Sequence, residues 1–386
     1  MARGISFLIA LLVVAACLRS SITGVGPLLG DIREELSLSA TTAGLLSSLP
    51  LLMFAACAPM ARLARDHGTE RLLLAALVAL IAGIGVRSTG ATGALFTGTV
   101  LLAGGIAVAN ILLPILVKQH FPDRIATITT AYASVMGGFA GLASGFAAPL
   151  ARWLPGGWRG SLASWALPAA LALLLWLPHV RRDVHVASAT DAPAARLPWG
   201  SSLAWQVTAF MGFQSTVFYL TVTWYPAMLH DAGVPVESSG WLLTVYQVAA
   251  LLAGLAVPAL IRRFTDQRAL AVAAGLLAAL GTLGVLLAPQ AALLWMLVMG
   301  LGSGPGLILA LSFMGLRAGG PRAAASLSLM GQSIGYLLAA CGPVVFGLIH
   351  DLTGGWRWPM LFTITMALGM SVSGLGAGRA DKRLVV

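Results

Sequence analysis

Arg124 to Arg159 reads RIATITTAYASVMGGFAGLASGFAAPLARWLPGGWR, and Arg322 to Arg357 reads RAAASLSLMGQSIGYLLAACGPVVFGLIHDLTGGWR. In each copy the tryptophan stands 34 positions after the opening arginine, and the second copy lies 198 positions after the first. Each holds a long apolar run and closes on GGWR. One four-letter match carries little weight, but a matched start, end and interval point to two related halves.

Outward from these copies the whole chain is apolar. Of 386 residues, 58% are hydrophobic and 9% charged, against roughly 45–50% and about 25% in a soluble domain. The apolar residues fall in runs of about 20 or more, enough for a helix to cross roughly 30 Å of hydrocarbon. These runs lie at 5–29, 39–61, 71–88, 93–117, 125–150 and 160–178, then at 202–228, 238–261, 269–288, 291–316, 324–349 and 357–378. Many of the 45 glycines and 19 prolines sit inside them, where helix packing in lipid tolerates both. Between the sixth and seventh runs, residues 179–200 (HVRRDVHVASATDAPAARLPWG) carry charge, proline and small polar residues without periodicity, the signature of a linker. The expectation is an all-α membrane protein with twelve transmembrane helices in two pseudo-symmetric six-helix bundles. The first bundle is 1–178, the cytoplasmic linker 179–200, and the second bundle with a short cytoplasmic tail 201–386.

The net charge of +10 does not imply a nucleic-acid partner, because the basic residues cluster between the runs. If the N-terminus is cytoplasmic, 17 Lys/Arg fall in inner connections and tails and five outside: Arg33, Arg87, Arg152, Arg159 and Arg357. That asymmetry places both termini in the cytoplasm of a multi-pass protein of the bacterial inner membrane. Cys17, Cys57 and Cys341 all lie within apolar runs and read as packing residues, offering neither disulfide nor metal-ligand spacing. No cofactor or metal is expected. Val14-Ala15-Ala16-Cys17 resembles a lipoprotein cleavage box, but a full spanning length continues past the cysteine. Trp153, Trp158, Trp224, Trp241, Trp295, Trp356 and Trp358 near outer ends, and Trp176, Trp199 and Trp205 near inner ends, read as interfacial belts.

One Lys/Arg of the 23 remains, Arg19, near the centre of the first run. All 13 acidic residues and six histidines fall in connections, at run ends or in the tail, so Arg19 has no evident counter-charge within the hydrocarbon. A central arginine costs about 2.5–3.5 kcal/mol on insertion scales, so it should face the bundle interior or a watery cavity. Its planar fork suits carboxylate, phosphate or another small anion. The competing role is structural, with backbone carbonyls or hydroxyls as partners. Thr23 at i+4 and Gly26 at i+7 extend the same face. In the seventh run Gln214, Phe218 and Thr221 form a polar and aromatic stripe, the eighth carries Tyr246 and Gln247, and the eleventh has Ser328, Gln332 and Tyr336 at successive i+4 steps. Each amide suits a ligand contact or an interhelical bond equally; Ser328 and Tyr219 read as packing. Trp224 is a candidate outer gate. His350-Asp351 reads first as a solvated or capping pair and second as a protonation site.

The stretches LRSSITGVGPLL (Leu18 to Leu29), KQHFPDR (Lys118 to Arg124), LAWQVTAFMGFQS, HDAGV, GWLL and FGLIHDLTGGW resemble the cyanate/2-nitroimidazole transporter branch of the major facilitator superfamily. The resemblance implies the major facilitator fold, a solute site near the midplane between the halves, and a small anionic or small polar nitrogen-containing solute. By analogy the first, fourth, seventh and tenth helices line the cavity, which gives Asn110 and Gln214 priority. The superfamily's connection between helices 2 and 3 usually places an acid near the end of helix 2. Here it reads ARLARDHGTER, with Arg65 in that place and Asp66 shifted by one; Arg62, Asp66 and Arg71 are candidates for an inner latch. The expected activity is transport by alternating access, by a monomer, with a small-molecule substrate and a candidate coupled proton as partners. A proton-coupled drug exporter would call for a buried acid that the runs lack. An intramembrane enzyme would need a nucleophile with a base, or a metal cluster, at membrane depth, and a non-transporting receptor would not explain the duplication.

Overall fold

The computed structural model describes residues 2–57, 68–180 and 197–384. Long apolar segments can satisfy their backbone groups in lipid only by closing hydrogen bonds within themselves, and each expected run is a helix. They are α1 (Ala2–Thr23), α2 (Ala40–Cys57), α3 (Thr69–Arg87), α4 (Thr92–His120), α5 (Ile125–Trp153), α6 (Ala166–Val180), α7 (Ser202–Asp231), α8 (Val236–Arg263), α9 (Arg268–Leu287), α10 (Ala292–Leu316), α11 (Pro321–Thr353) and α12 (Arg357–Ala377). A seven-residue helix, Leu29–Glu35, continues α1 after a break at Gly26–Leu28, and another, Trp158–Ser164, leads into α6. No strand occurs among the described residues; one isolated parallel bridge joins Ala318 to Leu384 near the end of the chain. The second run's last residues, and 181–196 of the linker, lie outside the described residues.

Eleven of the described spans are long and apolar enough to cross a membrane. The remaining helix, α7, is long enough at 30 residues but carries Gln206, Thr208, Gln214, Ser215, Thr216, Thr221 and Thr223. All of these except Gln206 are buried. The most polar span is therefore the one most enclosed by protein, as expected when polar side chains are costly against lipid. Leucines such as Leu167, Leu174 and Leu287 cover the outside.

Packing repeats with the sequence. In the first half α1 packs on α5 and α6, α2 on α4, and α3 on α4 and α6; in the second, α7 packs on α11 and α12, α8 on α10, and α9 on α10 and α12. One apolar core draws only on residues between Phe7 and Trp176, another only on residues between Leu203 and Leu384. The GGWR copies explain part of this symmetry. The Trp158 indole N–H donates to Glu35 Oε2 at 2.6 Å, and the Trp356 indole N–H donates to Asp231 Oδ2 at 2.9 Å. Each bond ties the start of a half's last span to the end of its first. Arg159 adds a two-pronged bond to the Glu35 carboxylate, at 3.0 and 2.5 Å.

The halves meet where α2 packs on α11 and α5 on α8, at the end of the bundle away from both termini. A methyl on Gly44 would collide with the Pro343 carbonyl, and one on Gly26 with that of Val222, so backbone approaches backbone at both crossings. Trp158, Trp176 and Trp224 correct the expected aromatic belt. All three are buried, held by hydrogen bonds or ring stacking inside the protein rather than at a lipid interface.

Trp158→Phe and Trp356→Phe keep the ring packing and remove only the N–H. Each is expected to lower the melting temperature of the detergent-solubilised protein by a few degrees, measured by differential scanning fluorimetry.

Candidate functional site

Arg19 leaves α1 one turn before its end and is half-buried within the bundle. Its guanidinium carbon stands 4.9 Å from the centroid of the Phe218 ring on α7, a cation–π contact worth about 0.5–2 kcal/mol depending on desolvation. It makes no hydrogen bond or ion pair among the described residues, so its five N–H donors stay available. Phe218 is edge-on to Tyr219, 5.3 Å between centroids, and 6.3 Å from Tyr246 of α8. Phe54 of α2 meets Tyr336 of α11 edge-on at 5.6 Å. Phe54, Phe218, Tyr219, Tyr246 and Tyr336 share one apolar cluster. Five helices from both halves thus bring one free cation and a set of aromatic rings together near mid-span. Tyr246 holds its place by donating to Ser303 Oγ of α10 at 2.6 Å.

The other expected residues divide. Asn110 on α4 is half-buried with no partner among the described residues. Gln332, one turn before Tyr336, donates to Ser328 Oγ at 2.8 Å and keeps its carbonyl oxygen. Gln214 is buried, donates to Ser215 Oγ at 2.7 Å, and lies with its Cβ toward Gly306 of α10. Thr23 and Gln247 are held in a different place. The Thr23 hydroxyl donates to the Ala140 carbonyl at 2.9 Å, and the Gln247 amide donates to Ser144 Oγ at 2.9 Å and to the same carbonyl at 3.3 Å. Ser144 donates back to the Thr23 carbonyl at 3.2 Å, and Thr244 to the Gly141 carbonyl at 2.7 Å. This network sews α1, α5 and α8 together across the halves.

It belongs to a seal at the end away from the termini. Asp351 of α11 accepts the Ala40 N–H at 2.9 Å, the Thr41 N–H at 2.8 Å and the Thr41 hydroxyl at 2.6 Å. The carboxylate caps the N-terminus of α2, where four N–H groups lack helical partners, so the capping reading of this residue describes its place. His350 packs its ring 4.2 Å from that of Trp356. Arg152 pairs with Glu237 across α5 and α8. Trp224 stacks on Phe346 at 5.4 Å, with the Arg33 guanidinium 5.9 Å from its ring, filling the seal between α7 and α11.

At the opposite end, Arg62 and Asp66 lie outside the described residues, and Arg71 is exposed at the start of α3. The equivalent connection in the second half is described. There Arg268 pairs with Asp266 at 2.7 Å and, through its hydrogen bonds, holds that carboxyl below the usual carboxylate range. Buried Arg317 donates to Gln267 and to the carbonyls of Ala377 and Gly378 at 2.8 and 2.9 Å. Sequence reasoning missed Phe54, because an aromatic residue in an apolar run carries no signal of its own. It also counted Arg87 among the basic residues of the outer connections, whereas Arg87 is 1% exposed.

Asp351→Ala removes the cap at a cost of about 1 kcal/mol, which shifts a two-state equilibrium by about fivefold. With the native cysteines replaced, a cysteine at Ser47 is expected to react faster with an impermeant maleimide in the Asp351→Ala background.

Residues 11–340 match the Major Facilitator Superfamily profile. The chain is 44% identical to the 2-nitroimidazole transporter of Escherichia coli (strain K12), across 97% of this chain and 95% of that protein. It is 28% identical to the cyanate transport protein CynX of the same organism, with 95% of each covered. Among solved structures, a bacterial homolog of the human lysosomal transporter Spinster, inward-facing and occupied, superposes with a TM-score of 0.80 at 16% identity, covering 98% of both chains.

Proposed function

From the premise that this chain belongs to the Major Facilitator Superfamily, and is a multi-pass, non-enzymatic transport protein, we propose that it moves a small anionic or small polar nitrogen-containing solute by alternating access. The observation that carries the reading is Arg19, a half-buried guanidinium with no carboxylate partner among the described residues. An uncompensated charge at this depth is stabilised by an anion more than by any neutral group, because low dielectric strengthens the attraction. The rings of Phe54, Phe218, Tyr219 and Tyr336 favour a flat solute, whose face stacks while its anionic or polar edge meets the guanidinium fork. Asn110 and Gln332 supply neutral hydrogen bonds. The relatives' transport of 2-nitroimidazole and cyanate, as their names give it, fits a site that combines a ring shelf with one cation.

Residues 1–178 and 201–386 rock against each other about this site, with both termini on the cytoplasmic side of the inner membrane. In that orientation the seal of Asp351, Trp224 and the Thr23–Gln247 network closes the outer mouth, and Arg71, with Arg62 and Asp66 of the same connection, is the candidate inner latch. Thr23, Gln247 and Trp224 then act by holding a state of the cycle, not by touching solute. The spans offer no acid beside Arg19, so a coupled proton travels with the solute or by way of His350.

The test is a thermal-shift screen of cyanate, other small anions and nitroimidazoles against wild type and Arg19→Ala, followed by counterflow in proteoliposomes. Loss of a charge-assisted contact of roughly 1.5–3 kcal/mol weakens anion binding by about 10–100-fold. Equal stabilisation of both proteins by anions sinks the role of Arg19; absence of exchange for every solute sinks the transport reading.

A further inference from the structure

A second guanidinium lies deeper than the first. Arg87 ends α3, yet its side chain turns inward, and its Nη1 donates to the Ser21 carbonyl at 2.7 Å. The reason lies in α1. Its last turn unwinds before Pro27, and the Val25 N–H bonds to Ile22 rather than to Ser21, leaving the Ser21 carbonyl without its helical partner. A cation there also complements the negative end of the helix dipole. That role occupies only Nη1. Arg87 Nε and Nη2 are fully enclosed and have no hydrogen-bond partner among the described residues.

Beside them is a cavity of ≈ 20 Å³, lined by Arg87 together with Ser47, Thr99, Tyr219 and Thr223 among apolar residues. That is space for about one or two water-sized occupants. A buried, unpaired cation in a low-dielectric setting is strongly unfavourable, and Arg87 has no ion pair among the described residues. The hydroxyls of Ser47 and Thr223 can donate to an anion as readily as to water, while that of Thr99 already donates to the Leu95 carbonyl at 2.7 Å.

We propose that Arg87 and this cavity form a binding site for one small monovalent anion of halide size, separate from the Arg19 site and divided from it by Tyr219. The anion takes the free Nε and Nη2 donors, with Ser47, Thr99 and Thr223 around it. Its site is built from α1, α2, α3, α4 and α7, so it holds the first half against the second half's most polar helix when the far end is sealed. An anion here stabilises that sealed state, and transport depends on the background anion as well as on the solute. This reading stands apart from the assignment of Arg19, since the two guanidiniums share no hydrogen-bond partner, although Tyr219 borders both sites.

Bromide is the probe. Full-length protein exchanged into a gluconate buffer is titrated with bromide while its melting temperature is followed, for wild type, Arg87→Gln, Arg87→Lys and Arg19→Gln. Arg19→Gln is expected to keep a bromide-dependent rise, reduced only by whatever Arg19 itself binds, whereas Arg87→Gln is expected to need about tenfold more bromide or more for the remainder, and Arg87→Lys to fall between. Crystals of the wild-type protein grown in bromide, which need no variant to fold, should show an anomalous peak within hydrogen-bond reach of Arg87 Nε or Nη2. A water in that position with no anomalous signal, or a bromide response unchanged in Arg87→Gln, overturns the proposal.

Discussion

A charge placed where lipid and protein exclude water has three ways to persist: an opposite charge, a set of hydrogen-bond acceptors, or an opening to solvent. Arginine removes a fourth escape, deprotonation, because its charge persists at any working pH. The architecture around α1 follows from that constraint applied at two depths. Arg19 stays half-buried and rests on one aromatic ring. Arg87 takes an acceptor, the carbonyl freed where α1 unwinds. The polar helix α7 faces both, and is sheltered from lipid for the same reason.

What the sequence made legible was whatever had a period or an isolation. Spanning runs are long and regular, so the twelve helices could be read directly, with bounds displaced by a few residues at most ends. The duplication was visible because GGWR recurs at a fixed offset. Arg19 stood out because it interrupts an apolar run from within. The roles that escaped depend on partners more than a hundred residues away. Nothing near Trp158 announces Glu35, and nothing near Asp351 announces the N-terminus of α2. Arg87 escaped for a different reason: a charge at a run's end looks solvated, and only the fold turns it inward.

Within the candidate site the same limit separates Thr23 from Arg19. Helical spacing put both on one face, and the structure keeps them there. One turn is nevertheless enough to move a side chain from open space into a packed crossing, where its hydroxyl bonds to Ala140. Gln247 parts from Tyr246 in a comparable way, since adjacent helical residues point about 100° apart. Hydrogen-bonding capacity can be read from residue type, but the identity of the partner is a property of the tertiary crossing.

The Asp351 cap gives the seal an unusual character. Most contacts that hold two bodies together lose their value when the bodies separate. A helix terminus does not, because water can serve the N–H groups of Ala40 and Thr41 as soon as the carboxylate withdraws, and the carboxylate is itself well hydrated. The donors therefore change partners rather than lose them. Such a closure is selective about geometry while remaining shallow in energy, which is what the proposed alternating access asks of a gate.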